Sequence, residues 1–217
     1  MPEFLKVNTG VAQLAIWRIE EDEDALKRII GGDSFPVLMQ FQDPKRRLEW
    51  LATRCCLKML GITDSIIYAP NRRPYLSNDR QHISISHSYP YVAVIASTDF
   101  YVGLDIESLD RPYAKIADKY LTLGEIAWID VHDDDRMALV WSAKEAFYKL
   151  PGMEGLNSFV DITMLPIARV RKQGLLRMRV RMNGRVQTFS MEYAFLDGYT
   201  VTWVACNPNM LAGLTQG

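Results

Sequence analysis

The sequence has few cysteines, few histidines and no excess of positive charge. Its 217 residues include three histidines and three cysteines, Cys55, Cys56 and Cys206. An odd number of cysteines, two of them adjacent, argues against a disulfide framework. The C-x-x-C spacing typical of zinc sites does not occur. The formal net charge of −1 argues against a general nucleic-acid-binding protein, because such proteins usually carry a basic excess.

Long apolar runs are also missing. No stretch approaches the ~20 apolar residues of a transmembrane helix, and the N-terminal "MPEFLKVNTG" lacks the basic start and apolar core of a signal peptide. What is present is an ordinary globular composition, with 48% hydrophobic and 24% charged residues. We therefore expect a reduced, soluble, cytoplasmic protein with neither a membrane nor a nucleic-acid partner.

One helix is marked at both of its ends. Asp43 is a candidate N-cap, Pro44 suits the first helical position, and Gly61 follows the predicted end. The apolar side of this segment includes the two adjacent cysteines, which are therefore predicted to fill a core. Arg47 and Arg54 share a different stripe of the same helix.

Strand patterns occupy the middle and the end of the chain. The segments "HISIS", "YVAVIAS" and "YVGLDIE" are separated by turn residues and predict an antiparallel meander. A helical region follows over residues 114–150, and then strands that include an Asn183–Gly184 hairpin turn. The order of elements predicts an α+β fold in two halves of similar plan, with antiparallel sheets and packed helices.

Two acidic residues end a strand that otherwise looks buried. Strand side chains alternate, so Gly103, Asp105 and Glu107 point to one face. Like charges so placed repel each other and lose hydration, and they are tolerated best with a cation between them. The alternative is a solvated sheet edge, and these residues alone leave both interpretations open.

A third acid lies on the helix "WSAKEAFYK". Trp141, Glu145 and Lys149 fall at i, i+4 and i+8 along one stripe. Taken alone, Glu145 and Lys149 are typical of a surface ion pair. Opposite the two strand acids, however, Glu145 would complete a hard-cation site, since magnesium prefers few carboxylates, retained waters and phosphate oxygens. This set favours a metal-assisted reaction at phosphate.

Three segments together carry a family resemblance. "ISISHS", "VGLDIE" and "WSAKEAFYK", in this order and spacing, resemble the 4′-phosphopantetheinyl transferases of the surfactin-synthetase-activating (Sfp) type. The resemblance extends over roughly residues 45–160 and includes "RRPYL" and the helix that carries Arg54. It implies a 4′-phosphopantetheinyl transferase fold of two pseudo-symmetric α/β subdomains, residues 1–101 and 102–217, with the active site at their junction. The length favours a monomer over the shorter, trimer-forming holo-acyl-carrier synthases.

The resemblance implies an enzyme with holo-[acyl-carrier-protein] synthase activity. Such an enzyme moves the 4′-phosphopantetheine arm of coenzyme A to a serine of an apo acyl or peptidyl carrier protein and releases adenosine 3′,5′-bisphosphate. The carrier would belong to fatty-acid, polyketide or nonribosomal-peptide biosynthesis. By position, Asp105, Glu107 and Glu145 would hold Mg²⁺, and Lys149 would contact the coenzyme phosphates. Either Glu107 or Glu145 would take the proton of the serine.

The resemblance also implies a set of coenzyme-binding residues. Its members besides Lys149 are Arg47, Arg54, Arg73, Ser86 and His87. His87 would reach a phosphate, and Arg54 would hold the 3′-phosphate. The chain departs from the family at one point, because Arg72 replaces the glycine of the usual G-(K/R)-P triplet. A side chain there restricts a backbone that normally lies near the nucleotide.

Glu125 has two competing interpretations. It matches a family glutamate that is sometimes assigned a role near the metal. The segment "TLGE", Thr122 to Glu125, is also a capping box, in which Glu125 would accept from the N-cap amide. We favour the capping role.

Two other functional classes remain as alternatives. A metal-dependent nuclease or phosphatase also uses three acids and a lysine, although many nucleases place an acid two residues from the lysine on a strand. Glu145 and Lys149 are instead four residues apart on a predicted helix. The second alternative is a non-catalytic domain that binds a carrier protein or a nucleotide, and retained cation binding would separate it from the transferase.

Overall fold

A computed structural model describes residues 3–31, 35–153, 156–157 and 160–215. The chain divides into two compact units, residues 1–98 and 99–217. The resemblance implies subdomains of residues 1–101 and 102–217, and this division stays a prediction. That the active site lies at the junction of two subdomains stays a prediction.

The first unit contains a four-stranded antiparallel sheet with the order β1-β2-β6-β5 and a small β3–β4 hairpin. Its elements are β1 (Glu3–Asn8), β2 (Gln13–Arg18), α1 (Glu23–Ile30), a 3-10 helix (Pro36–Gln40), α2 (Pro44–Met59), β3 (Ile66–Tyr68), β4 (Pro74–Leu76), β5 (His82–Ser88) and β6 (Tyr91–Ser97).

Helix α2 begins and ends as its sequence predicts. The Asp43 side chain accepts from the Lys45 amide, Pro44 is the first helical residue, and Gly61 follows with a φ of 74°. The helix packs against β2 and β6, and Cys55 and Cys56 lie in the core between them. The prediction that these cysteines fill a core is confirmed.

The second unit contains a five-stranded antiparallel sheet with the order β7-β11-β10-β9-β8. Its elements are β7 (Tyr101–Ser108), a 3-10 helix (Tyr113–Lys119), α3 (Leu123–Ile126), α4 (Asp134–Tyr148), β8 (Ile162–Met164), β9 (Gln173–Met182), β10 (Arg185–Leu196), β11 (Tyr199–Cys206) and α5 (Pro208–Thr215). Helix α4 packs against β7 and β11, and its buried residues form the centre of this unit's core.

The predicted α+β class with antiparallel sheets and packed helices is confirmed, and so is the Asn183–Gly184 hairpin. The predicted meander is wrong for its third strand. Strand β6 pairs with β5 on one side and with β2 on the other, so neither edge of β6 is available to β7. Strand β7 pairs with β11 instead. Within the described residues, no helix is both long enough and apolar enough to span a membrane.

Candidate functional site

Strand β7 and helix α4 come into direct backbone contact. A Cβ added to Gly103 would lie 2.0 Å from the carbonyl oxygen of Ala146, so only glycine permits this approach. Because side chains alternate on a strand, Asp105 and Glu107 share the face of β7 that is turned toward α4. Asp105 is buried, with 4% of its surface exposed.

The predicted stripe on α4 faces these two acids. The Trp141 indole Nε1 donates to Glu107 Oε1 at 3.0 Å. The Lys149 ammonium, just beyond the end of the helix, donates to Asp105 Oδ1 at 2.8 Å and to the Leu104 carbonyl at 2.9 Å. The structure therefore brings the strand acids and the helix stripe together in the second unit.

The third acid, Glu145, has a pKa that is shifted by burial and by neighbouring charges. Its pKa is raised, first by burial and next by the negative charge of Asp105, while Lys149 opposes the rise. Glu107 adds a smaller upward effect. The other Glu107 oxygen, Oε2, accepts from the Arg111 guanidinium, and this hydrogen bond is the main cause of a raised Arg111 pKa.

The three acids have the oxygen ligands that a hard cation prefers, but their side chains are not arranged around a common metal position in this structure. Among the described residues, no group of three or more His, Cys, Asp or Glu side chains is arranged to hold a metal ion. Asp105, Glu107 and Glu145 are nevertheless close enough to influence one another electrostatically. Carboxylate oxygens are the donors that Mg²⁺ prefers, with waters and phosphate oxygens completing its shell. In this structure Lys149 and Arg111 balance part of the acidic charge.

A second candidate site is a cavity of about 390 Å³ in the first unit. It combines aromatic side chains with several cations, a composition suited to a ligand with both a ring and phosphates. Its lining residues are Phe41, Arg46, Glu49, Trp50, Thr53, Arg54, Tyr68, Arg72, Pro74, Ile85 and His87. Of the predicted coenzyme-binding residues, the cavity brings together Arg54 and His87.

Arg54 is held in this cavity by an aromatic side chain. Its guanidinium lies over the Trp50 ring, 3.4 Å from the ring centre, and donates to the Trp50 carbonyl at 3.1 Å. Burial lowers the pKa of Arg54 to about 10, and Tyr68 opposes this shift. Among the residues that the structure describes, no carboxylate forms an ion pair with Arg54. Arg54 is therefore a half-buried cation suited to an anionic ligand.

Other predicted coenzyme-binding residues lie elsewhere. Arg47 binds Glu23, with a distance of 2.9 Å from Nε to Oε2, and does not line the cavity. Ser86 is buried and, because β5 alternates, faces away from the side that carries His87. Arg73 follows a tight turn in which the Ala69 amide donates to the Arg73 carbonyl, and the cavity is lined by Arg72 in its place.

The sequence interpretation missed Arg46 and Glu49. Arg46, Trp50 and Arg54 are spaced i, i+4 and i+8, so the sequence alone predicts that they share one stripe of α2. Arg47 is an equally good cation one position along, so the sequence alone does not distinguish Arg46 from Arg47. One residue turns a helix by about 100°, which is enough to move a side chain out of the cavity.

Glu125 is a structural residue. Its Oε2 accepts from the Thr122 amide at 2.7 Å, and the Thr122 hydroxyl accepts from the Glu125 amide, which forms the predicted capping box. Lys144 donates to the same Oε2 at 2.7 Å, and the Met164 amide donates to Oε1 at 2.7 Å. The capping interpretation of Glu125 is confirmed.

One segment of the chain is similar to a known protein family. Residues 101–204 match the family model of the 4′-phosphopantetheinyl transferase superfamily, which confirms the resemblance at the superfamily level. This segment contains β7, α4 and the three acids. The match supports phosphopantetheine transfer as the general activity, with coenzyme A and a carrier protein as the general partners. No curated protein is significantly similar to the chain.

Proposed function

We propose that this protein, whose residues 101–204 match the family model of the 4′-phosphopantetheinyl transferase superfamily, transfers the 4′-phosphopantetheine arm of coenzyme A to a serine of an apo acyl or peptidyl carrier protein. Adenosine 3′,5′-bisphosphate is the other product. One observation carries the proposal: within the matched segment, the α4 stripe meets the acids of β7 across the bare Gly103. We assign the Sfp type because the sequence resemblance also includes residues of the first unit.

Three carboxylates of the second unit are the proposed magnesium ligands. They are Asp105, Glu107 and Glu145, whose mutual electrostatic influence is best relieved by a divalent cation. When bound, Mg²⁺ supplies positive charge beside the attacked and the departing phosphate groups.

The remaining roles follow from the hydrogen bonds of these side chains. Lys149 has a flexible four-carbon stem, so its ammonium can turn from Asp105 to a pyrophosphate oxygen. Both oxygens of Glu107 already accept hydrogen bonds, from Trp141 and from Arg111. We therefore propose that Glu145 removes the proton from the attacking serine hydroxyl. Glu107 keeps its proposed role as a magnesium ligand.

The cavity of the first unit is the proposed site for the adenosine 3′-phosphate end of coenzyme A. Arg54 supplies a cation without a carboxylate partner among the described residues, and Arg72 and His87 line the same space. Arginine is well suited to phosphate because its planar guanidinium donates two parallel hydrogen bonds. Arg47 is left out of the proposal because it is engaged by Glu23.

Replacing Arg54 with alanine tests the coenzyme site. We expect the KM for coenzyme A to rise about 10- to 100-fold, which corresponds to one lost charge-assisted hydrogen bond, with a smaller change in kcat. Arg47→Ala is the matched control on the same helix and should leave this KM unchanged. A larger effect for Arg47→Ala than for Arg54→Ala would contradict the assignment.

Replacing Asp105 with alanine tests the acid cluster. Turnover should fall at least about 100-fold, by analogy with the loss of other groups that stabilise transition-state charge. Asp110→Ala, an exposed acid just past β7, is the control and should keep normal turnover. Near-normal turnover of a folded Asp105→Ala protein at ordinary magnesium concentration would refute the metal assignment.

A further inference from the structure

The cavity of the first unit contains one acid among its cations. Glu49, on α2, has 8% of its surface exposed. Its Oε2 lies 3.3 Å from Arg46 Nη1 and 3.4 Å from His87 Nδ1. A buried carboxylate is costly unless paired, and Arg46 and His87 are the partners that lie close to Glu49. A carboxylate in an anion-binding cavity requires its own explanation, because it repels the ligand.

The contact between Arg46 and His87 defines the protonation state of the imidazole. Arg46 Nη1 lies 2.9 Å from His87 Nε2. A guanidinium has donors and no acceptor, so Nε2 must accept the hydrogen bond and carries no proton. The proton of the neutral ring is then on Nδ1, the nitrogen that faces Glu49. The geometry points to a neutral His87 in the Nδ1–H form when no ligand is bound.

A phosphate changes this arrangement. It attracts the Arg46 guanidinium, and once Arg46 leaves Nε2, that nitrogen is available to take a proton from solvent. His87 then donates from Nε2 to a phosphate oxygen, while Nδ1–H still faces the Glu49 carboxylate, which stabilises the positive ring. The other charged or titratable side chains that line the cavity with His87 are Arg46 and Arg54 from α2, Tyr68 from β3 and Arg72 from the following turn. The positive charges of Arg46, Arg54 and Arg72 disfavour protonation of the His87 ring, and the negative charge of Glu49 offsets this effect.

We propose that Glu49 is a positioning residue for coenzyme binding. It fixes the ring of His87 through Nδ1 and supports the protonation of Nε2 when a phosphate of the coenzyme occupies the cavity. The inference rests on the proposed function, because it takes coenzyme A as the ligand. It assigns Glu49 a role that acts through His87 rather than by contact with the substrate.

The ring nitrogens of His87 give the first test. Nitrogen-15 NMR distinguishes the two neutral tautomers, and the three histidines of the chain are assigned with a His87→Gln sample. In the coenzyme-free wild-type protein at about pH 7.5, one unit above the usual histidine pKa, we expect a proton on Nδ1 only. With coenzyme A, both nitrogens should be protonated. A proton on Nε2 in the free protein, alone or together with one on Nδ1, would overturn the inference.

Calorimetry gives the second test. Coenzyme A binding, measured in two buffers of different ionisation enthalpy, should be accompanied by the uptake of about one proton in the wild type. Glu49→Gln preserves the shape of the side chain and removes its charge. We expect its proton uptake to fall below half and its Kd for coenzyme A to rise roughly five- to tenfold.

The controls separate a loss of charge from a loss of structure. Glu23→Gln removes an acid that binds Arg47 and Lys27 outside the cavity, and it should change neither proton uptake nor Kd. A thermal melt of Glu49→Gln checks that the variant folds. Wild-type binding of coenzyme A without proton uptake would overturn the role of Glu49 and leave the proposed function intact. No binding of coenzyme A by the wild type would overturn both.

Discussion

The buried pair of Glu125 and Lys144 gives a prediction that separates structure from catalysis. Glu125 is completely buried, and Lys144 has 2% of its surface exposed. The two Glu125 oxygens accept from the Lys144 ammonium and from two backbone amides, Thr122 and Met164. Lys144 also donates to the Tyr120 carbonyl. One carboxylate therefore joins α3, α4 and β8.

Glu125→Gln should be strongly destabilising. The glutamine amide nitrogen replaces an acceptor with a donor, so at least one donor loses its partner and Lys144 keeps a buried charge without a counter-ion. Burial already lowers the pKa of Lys144, with Glu125 opposing that shift. Removing one partner of a buried pair costs about 3–5 kcal/mol. At an unfolding entropy of about 2.1 cal/mol/K per residue, this cost corresponds to a fall in Tm of roughly 7–11 °C for a chain of this length.

Differential scanning calorimetry measures this shift, and Glu20→Gln, an exposed acid, is the control. Well below its Tm, the Glu125→Gln protein should transfer phosphopantetheine at nearly the wild-type rate, because no Glu125 oxygen is exposed to substrate. A variant with wild-type Tm and greatly reduced turnover would refute the structural role and restore the role near the metal.

Two further predictions concern close packing and buried thiols. Gly103→Ala should lower the free energy of unfolding by about 3 kcal/mol or more, since the new Cβ meets the rigid carbonyl of Ala146. The control is Gly213→Ala, whose new Cβ lies in open space. This control should be neutral or stabilising in the same thermal melt. Burial raises the pKa of Cys55 to about 12 and that of Cys206 to about 11, so a disulfide reagent at neutral pH should label the native protein far more slowly than the urea-unfolded protein. Fast labelling of the folded chain would show that these thiols are accessible.

Features that depend on neighbouring residues could be predicted from the sequence. The ends of α2 follow from Asp43, Pro44 and Gly61, and the capping box around Glu125 follows from the spacing of two residues. The same holds for the α4 stripe, because Trp141 and Lys149 are fixed relative to each other by the helical period alone. In each case the responsible interactions span only a few residues of chain.

Features that depend on contacts between distant parts of the chain could not be predicted from the sequence. Nothing in the sequence of β6 shows that β2 occupies its second edge, so the predicted meander places β7 beside β6 and not beside β11. Similarly, Arg46 lines the cavity and Arg47 does not, because the other wall of the cavity is formed by β5 and the turn after β3. These elements are distant from α2 in the sequence. Arg72 is a related case: it adopts a left-handed φ of 65°, so the chain keeps the backbone conformation that glycine favours and places a cation in the cavity.

Intact-mass spectrometry of an apo carrier protein tests the central claim most directly. The wild-type protein is incubated with coenzyme A, Mg²⁺ and several acyl and peptidyl carriers, with an EDTA control. The proposed function predicts that at least one carrier gains the mass of a single phosphopantetheine at its serine and that EDTA abolishes the gain. No gain on any carrier, despite measurable binding of coenzyme A, would contradict the transferase assignment and favour a non-catalytic binding domain.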